Sequence, residues 1–190
     1  YFPLGLLTNK DLATRFDNWS EDKIFDKTGI KKRYIADESE NIIDLAVNAA
    51  EKLFLDSKNN IKKSDIDTLI LITQTSSQLI PSSACAVHER LGLNEDCASF
   101  DINQGCAGYI YGLYTANSLI ESNNSKVVLL LTSDTYSKII NENDASLATL
   151  FGDAGTATII KSDIKDKTYS SIGDFCFGTD GSKFDKLICR

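Results

Sequence analysis

Apolar residues in this chain of 190 residues fall into two kinds of run. From Ile66 to Thr75 they are nearly continuous, as Ile66-Asp67-Thr68-Leu69-Ile70-Leu71-Ile72-Thr73, rich in β-branched residues and too short for a buried helix. Such a run predicts a central strand covered on both faces. Lys126 to Thr132, with its Val-Val-Leu-Leu-Leu core, predicts a second buried strand. Between Glu38 and Asp56, Ile42, Leu45, Ala46, Ala49, Leu53 and Phe54 recur at helical spacing. They predict an amphipathic helix with a core-facing stripe.

The remaining pattern fills in around these three. Tyr1 to Gly5 reads as the tail of a strand or loop. Thr8, with Asp11 three residues on, has the form of a capping box and opens a short helix to about Asp17. Ser20 caps another over Glu21–Lys27, which Thr28-Gly29 stops. Ile30 to Ile35 is strand-like, and Ser57 to Ser64 is a polar loop. Pro81 and Ser82-Ser83 open a helix that ends at Leu91-Gly92. Ala98–Asn103 is a strand, and the helix after it runs to about Ser122. Its Gly108, Gly112 and Ala116 form a small-residue stripe suited to close approach of another helix, and its length, about 24 Å at ~1.5 Å per residue, suits a buried central helix. Tyr136–Ile140 is read as helical, Thr156–Ile160 as a strand entered through Leu150-Phe151-Gly152-Asp153, and Ser170–Phe177 as a last strand. Buried strands alternating with helices define an α/β fold with a largely covered sheet.

Composition narrows the function classes. The net charge is −7, and no basic cluster exceeds Lys31-Lys32-Arg33. A nucleic-acid or anionic-membrane partner is not expected. No apolar run approaches the ~18 residues of a membrane span, and no signal peptide is evident at the start. The five cysteines form no C-x-x-C pair. Neither a disulfide framework nor a metal site is expected, and a reducing cytoplasm fits.

The candidate chemistry lies at Phe100-Asp101-Ile102-Asn103-Gln104-Gly105-Cys106-Ala107-Gly108-Tyr109. A strand ends in polar residues and a glycine, and a helix starts at or just after the cysteine. Free backbone N–H groups and the positive end of the helix dipole favour an anion there, such as a thiolate. The layout is the sulfur counterpart of the strand–nucleophile–helix elbow of serine hydrolases. The usual alternative for an isolated cysteine is a small buried core residue. A hydrolase triad has only His88 as base, and nothing places it near Cys106.

Several stretches in order resemble the beta-ketoacyl-acyl-carrier-protein synthase III group of thiolase-like condensing enzymes. They are Thr28-Gly29-Ile30-x-x-Arg33, Asp65-Ile66-Asp67, Ile80-Pro81-Ser82, Gly105-Cys106-Ala107-Gly108-Tyr109, Ser133-Asp134, Phe151-Gly152-Asp153 and Gly178-Thr179-Asp180-Gly181. The resemblance covers nearly all of residues 1–190, which it makes one amino-terminal, thiolase-like domain. It implies an α-β-α half with a mixed, largely buried sheet and a central helix starting at the nucleophile.

It also implies decarboxylative condensation of an acyl thioester with malonyl-acyl-carrier protein, in fatty acid or related biosynthesis. Cys106 becomes the acyl-accepting nucleophile, its own N–H part of the oxyanion hole. Thr28 becomes substrate-binding, and Ile80 reaches across a homodimer interface to shape the acyl pocket. No cofactor is implied beyond acyl-CoA or acyl-acyl-carrier protein as substrate, and acyl carrier protein is the expected partner.

The family's catalytic His and Asn belong to a carboxy-terminal half absent from this chain, which alone is expected to be inactive. His88 matches no catalytic position and is expected at the surface or a dimer contact. Lys23 and Ala145 replace a Trp and an Arg that contact CoA in typical members, which weakens the case for a CoA donor. The family's G-D-G-A-G appears as Gly152-Asp153-Ala154-Gly155-Thr156, with its glycines displaced. A same-fold acyltransferase to an amine or hydroxyl, and a non-catalytic dimerisation half, are the alternatives.

Overall fold

The computed structural model describes residues 1–57, 60–162 and 172–185. Its core is a mixed four-stranded sheet of β3 (Thr68–Ile72), β4 (Ala98–Ile102), β5 (Val127–Thr135) and β6 (Asp153–Lys161), in the order β4-β3-β5-β6. β3 is parallel to both neighbours, with Ile72 opposite Ile102 on one side and Thr132 on the other. β6 returns antiparallel along β5, closing that edge with Thr135 opposite Asp153. A separate hairpin-like pair joins β1 (Gly5–Thr8) to β2 (Lys32–Ile35).

Helices cover both faces, which is why β3 is buried at every position. Leu69, Leu71, Leu129 and Leu131 face α3 (Ile42–Leu55) and α4 (Ser83–Leu91) through Ile42, Ala46, Ala50, Val87 and Leu91. Ile70, Ile72, Val128 and Leu130 face α5 (Gly108–Glu121) through Leu113 and Ala116. A third cluster, built on Leu12, Ile24 and Ala148, unites α1 (Asn9–Arg15), α2 (Glu21–Thr28) and α6 (Ala145–Ala148).

The local signals explain most boundaries. Thr8 and Asp11 form the reciprocal capping box, and Gly29 ends α2 in the left-handed region at φ 70°. Six readings need correction. α3 begins at Ile42, not Glu38, because Asn41 and Asp44 make a second capping box there. α5 begins at Gly108, two residues after Cys106, with Ala107 as its N-cap. Its small-residue stripe faces the sheet and not another helix: a methyl on Gly112 would lie 2.5 Å from Ile72 Cδ1 and 2.7 Å from Leu130 Cδ1. The opposite side of α5 leaves Tyr109, Ile110 and Tyr114 exposed, so the helix is not buried on all sides. Only Tyr136–Lys138 is helical in the next segment, as a single 3-10 turn. Finally, residues 172–177 join no sheet, while Ser170 and Ser171 lie outside the described residues.

Candidate active site

Because β3, β4 and β5 run parallel, their carboxyl ends meet at one edge of the sheet. That edge is where open α/β sheets bind ligands. β3 leads there to Thr73-Gln74-Thr75, β4 to Asn103-Gln104-Gly105-Cys106, and β5 to Tyr136. Thr73 N–H donates to the Ile102 carbonyl at 3.3 Å, carrying the pairing one residue past the strands.

The turn that presents Cys106 is closed by Gln104 N–H to the Ile102 carbonyl (3.1 Å) and Gly108 N–H to the Gly105 carbonyl (2.7 Å). Cys106 is exposed. Among the described residues, no hydrogen bond occupies its backbone N–H. The thiol therefore stands two residues ahead of α5 beside an unpaired donor, at the positive end of a helix of 14 residues.

Asp134 builds the neighbouring wall. Its Oδ1 accepts the backbone N–H of Gln74 (2.8 Å) and of Thr75 (3.0 Å) and the hydroxyls of Thr73 (3.1 Å) and Thr75 (2.9 Å). Burial pushes its pKa above the ordinary carboxylate value, outweighing the lowering by those hydrogen bonds. Tyr136 then donates its hydroxyl to Gln74 Oε1 at 2.6 Å, and its ring stacks on Phe151 with centroids 4.7 Å apart. Burial, helped by the nearby charges of Asp134 and Cys106, raises the Tyr136 pKa and keeps the hydroxyl a donor. The Gln74 side chain lies against Gly105, where a methyl would come within 2.9 Å of its Cδ. Gln74 and Tyr136 escaped the sequence reading. The available signal was their position, each just past the end of a parallel strand.

Asp101 fixes the other flank. Its carboxylate accepts Ser83 N–H and Ala84 N–H, each at 2.7 Å, and so ties the first turn of α4 to the strand that carries Cys106. Leu79 and Ile80, on the loop before α4, are 98% and 88% exposed, so Ile80 is left almost uncovered by the described residues. Thr28 makes its side-chain hydrogen bonds locally. Its hydroxyl donates to the Ile24 carbonyl (2.7 Å) and accepts Ile30 N–H (3.1 Å), a local bracket at the end of α2. His88 lies late in α4, which runs back along β4, and its Nε2 bonds the Asn94 carbonyl at 2.9 Å. It stands away from the sheet edge that holds Cys106.

The motifs on either side of Tyr136 are structural braces. Asp153 is buried and accepts Ala36 N–H (2.8 Å), Ser137 N–H (2.9 Å) and the Ser137 hydroxyl (2.5 Å). Arg33, only 3% exposed, donates through Nε and Nη2 to the Thr149 carbonyl and through Nη1 to Asn9 Oδ1 at 2.6 Å. All these acceptors are neutral, and burial lowers the Arg33 pKa. Lys23 lies 5.4 Å from the Trp19 ring centroid and donates to the Asn18 carbonyl, while Ala145 opens α6 behind the N-cap Asp144. No group of three or more His, Cys, Asp or Glu residues suited to a metal occurs among the described residues. No helix among them is long and apolar enough to cross a membrane.

A mixed sheet between helical layers, with a cysteine on the strand-to-helix turn, is the half-fold of the thiolase-like condensing enzymes. The comparisons narrow this. The family model for 3-oxoacyl-[acyl-carrier-protein] synthase III matches residues 100–181. The beta-ketoacyl-[acyl-carrier-protein] synthase III of Neisseria gonorrhoeae is 39% identical over 165 residues, covering 87% of this chain and 51% of that protein. A crystal structure of a 3-oxoacyl-(acyl-carrier-protein) synthase III superposes with a TM-score of 0.91 at 40% identity, covering 99% of this chain and 55% of the other. The enzyme of that name from Pseudomonas aeruginosa gives 0.88 at 32%, covering 99% and 57%. In sequence and backbone the chain is similar to the amino-terminal half of beta-ketoacyl-acyl-carrier-protein synthase III proteins. It spans about half the length of the relatives it matches.

Proposed function

We propose that the protein carrying this chain is a 3-oxoacyl-acyl-carrier-protein synthase III-like condensing enzyme that works through an acyl-Cys106 intermediate. The observation that carries the reading is the exposed Cys106 on the turn into α5, at the carboxyl edge of the parallel strands. In the first half-reaction the Cys106 thiolate attacks the carbonyl of an acyl thioester. The new S–C bond forms, the donor's C–S bond breaks, and the donor thiol leaves with a proton from solvent. Nucleophile and leaving group are both sulfur, so the exchange is nearly balanced. The unoccupied Cys106 N–H supports a role for it as an oxyanion donor, a contribution of several kcal/mol when preorganised.

In the second half-reaction, malonyl-acyl-carrier protein loses CO2 and its carbanion attacks the acyl-cysteine carbonyl. The Cys106 C–S bond breaks, giving 3-oxoacyl-carrier protein and free thiolate. The His and Asn that promote this step in the family belong to the half this chain does not include, so the chain by itself is inactive. No cofactor is needed, and acyl carrier protein is the macromolecular substrate. A homodimer is part of the same reading. The outer edge of β4 is unpaired among the described residues, and the exposed Leu79 and Ile80 lie on the loop that enters α4. Ile80 would then meet the partner's acyl site. The unpaired thiols of Cys85, Cys97, Cys106 and Cys176 suit a reducing cytoplasm.

The test uses the full-length protein with labelled acyl thioesters, followed by peptide mapping, and then malonyl-acyl-carrier protein with CO2 release. The expected result is a label on Cys106 that disappears in Cys106→Ala, and CO2 released in step with product. A label that survives the substitution overturns the intermediate. An acylated Cys106 that passes its acyl group to an amine or hydroxyl without CO2 release would make the protein an acyltransferase.

A further inference from the structure

One peptide unit, Gly105–Cys106, carries both a held group and a free one. The Gly105 carbonyl accepts Gly108 N–H at 2.7 Å, while no hydrogen bond occupies the Cys106 N–H among the described residues. The unit is trans, and in a trans peptide the N–H points away from the carbonyl. Whatever fixes this plane therefore aims the free donor. The bond from Gly108 fixes it on one side. On the other, glycine has no side chain to wedge against its surroundings, and its backbone is the most permissive of all residues. Gln74 fills that place. A methyl on Gly105 would lie 2.9 Å from Gln74 Cδ and 3.4 Å from its Nε2, so the amide sits where a side chain on Gly105 would begin.

The side chain of Gln74 is itself anchored from the end of β5. Its backbone N–H donates to Asp134 Oδ1 at 2.8 Å, and its Oε1 accepts the Tyr136 hydroxyl at 2.6 Å. The Tyr136 ring is stacked on Phe151, with planes 19° apart. A line of contacts thus runs from Phe151 through Tyr136 and Gln74 to Gly105. We infer that Tyr136 and Gln74 are positioning residues for acyl transfer: Tyr136 locks the Gln74 amide against Gly105, and this brace keeps the Cys106 N–H aimed at the developing oxyanion. The inference rests on the acyl-cysteine reading above and requires neither side chain to touch the acyl group. It makes the brace matter only to reactions that build charge on a carbonyl oxygen. Attack on a thioester does so, and a preorganised N–H stabilises that charge. Alkylation by iodoacetamide does not: the S–C bond forms at a saturated carbon as the C–I bond breaks and iodide leaves.

The test compares the two reactions at Cys106 in the full-length protein, at one pH, by peptide mapping. The probes are the acetyl thioester of a small thiol and iodoacetamide. Tyr136→Phe keeps the stack on Phe151 and removes the donor, and should slow acetylation about ten-fold, part of what losing an oxyanion donor outright costs. Gln74→Ala should slow it at least as much. Because Tyr136 acts through Gln74, adding Tyr136→Phe to Gln74→Ala should slow it no further. Alkylation should keep its wild-type rate in all three proteins, a split that a loosened fold does not produce. If Gln74→Ala does not fold, Tyr136→Phe alone decides through that split. Acetylation at the wild-type rate in the folded variants, equal loss of both reactions, or additive losses in the double variant each overturn the inference and leave the acyl-cysteine reading intact. No acetylation of wild-type Cys106 overturns that reading first, and the inference with it.

Discussion

Asp101 Oδ2 accepts the backbone N–H of Ser83 at 2.7 Å, a link across 18 residues of sequence that joins the strand bearing Cys106 to the first turn of α4. The second oxygen takes the next donor, Ala84 N–H, so one carboxylate answers two of the orphan N–H groups at the helix start. Ser82, the N-cap residue, makes no side-chain cap bond, so Asp101 performs the cap from outside the helix. Asp101→Ala should destabilise the protein by about 1–3 kcal/mol, the cost of leaving such donors unpaired. Asp101→Asn keeps one acceptor oxygen and should fall between. Chemical denaturation of the three proteins checks the order. Equal stability of alanine and wild type would show that water replaces the carboxylate at no cost.

All four hydrogen bonds to Asp134 converge on Oδ1, an atom that asparagine also has. Asp134→Asn should therefore keep the Thr73–Thr75 loop, while Asp134→Ala should lose about 1–3 kcal/mol. The pH dependence separates them further. The Asp134 pKa is raised by burial, so its stabilising contribution is fully present below the ordinary carboxylate value. It is lost as pH rises through the elevated folded value. The neutral asparagine carries no such loss. Its stability relative to wild type should thus increase as pH is raised from the acid side across that window, measured as the difference in unfolding midpoints. A difference that shrinks as pH rises would overturn the sign.

How far the sequence exposes this structure depends on whether a feature is local. The run of Leu69 to Ile72 in β3 is legible because burial on both faces favours apolar residues at successive positions. Gly29 and the Thr8–Asp11 box were legible because caps are written within a few residues. The start of α3 was missed although Asn41 and Asp44 are also a box. Glu38 and Glu40, just ahead of it, mimic the acidic first turn of a helix. The exposed side of α5 was missed because small residues mark a close approach without saying whether a helix or a sheet approaches. Here Gly112 meets Ile72 and Leu130 of the sheet. Cys106 was legible from its strand–glycine–helix context, but Gln74 and Tyr136 were not. They lie 62 residues apart, and only the parallel order of β3 and β5 brings them together.

Asp44 predicts the opposite behaviour in acid. Burial works to raise its pKa, but the Asn41 N–H at 2.7 Å and Arg90 Nη1 at 2.6 Å together hold it below the usual carboxylate range. Its contribution is present above the unfolded value and is lost as pH falls through the depressed folded value. Asp44→Asn removes the charge that Arg90 faces and should flatten the acid limb of the stability profile, with the largest difference from wild type at neutral pH. Thermal melts from about pH 7 down to the acid transition check this. Parallel acid limbs for the two proteins would mean that Asp44 does not titrate with unfolding.

Two glycines should differ in their tolerance of one added methyl group. At Gly112 the methyl would meet the tips of Ile72 and Leu130, side-chain ends that can change rotamer. At Gly155 it would meet the Leu45 carbonyl group and come within 3.2 Å of Ala46 N, the backbone of α3. That backbone is held in its own helix and in the packing of α3 on the sheet, so the methyl forces α3 away from β6. Both substitutions overpack a dense interior, at about 1–3 kcal/mol each, and Gly155→Ala should cost the more. It should also disturb the chain start, since Gly155 exchanges hydrogen bonds with Tyr1, N–H to carbonyl at 3.0 Å and carbonyl from the terminal amine at 2.8 Å. Unfolding of the two variants by denaturant measures the order. A Gly112→Ala protein less stable than Gly155→Ala would mean that the side chains beneath α5 are more tightly locked than the helix across the sheet.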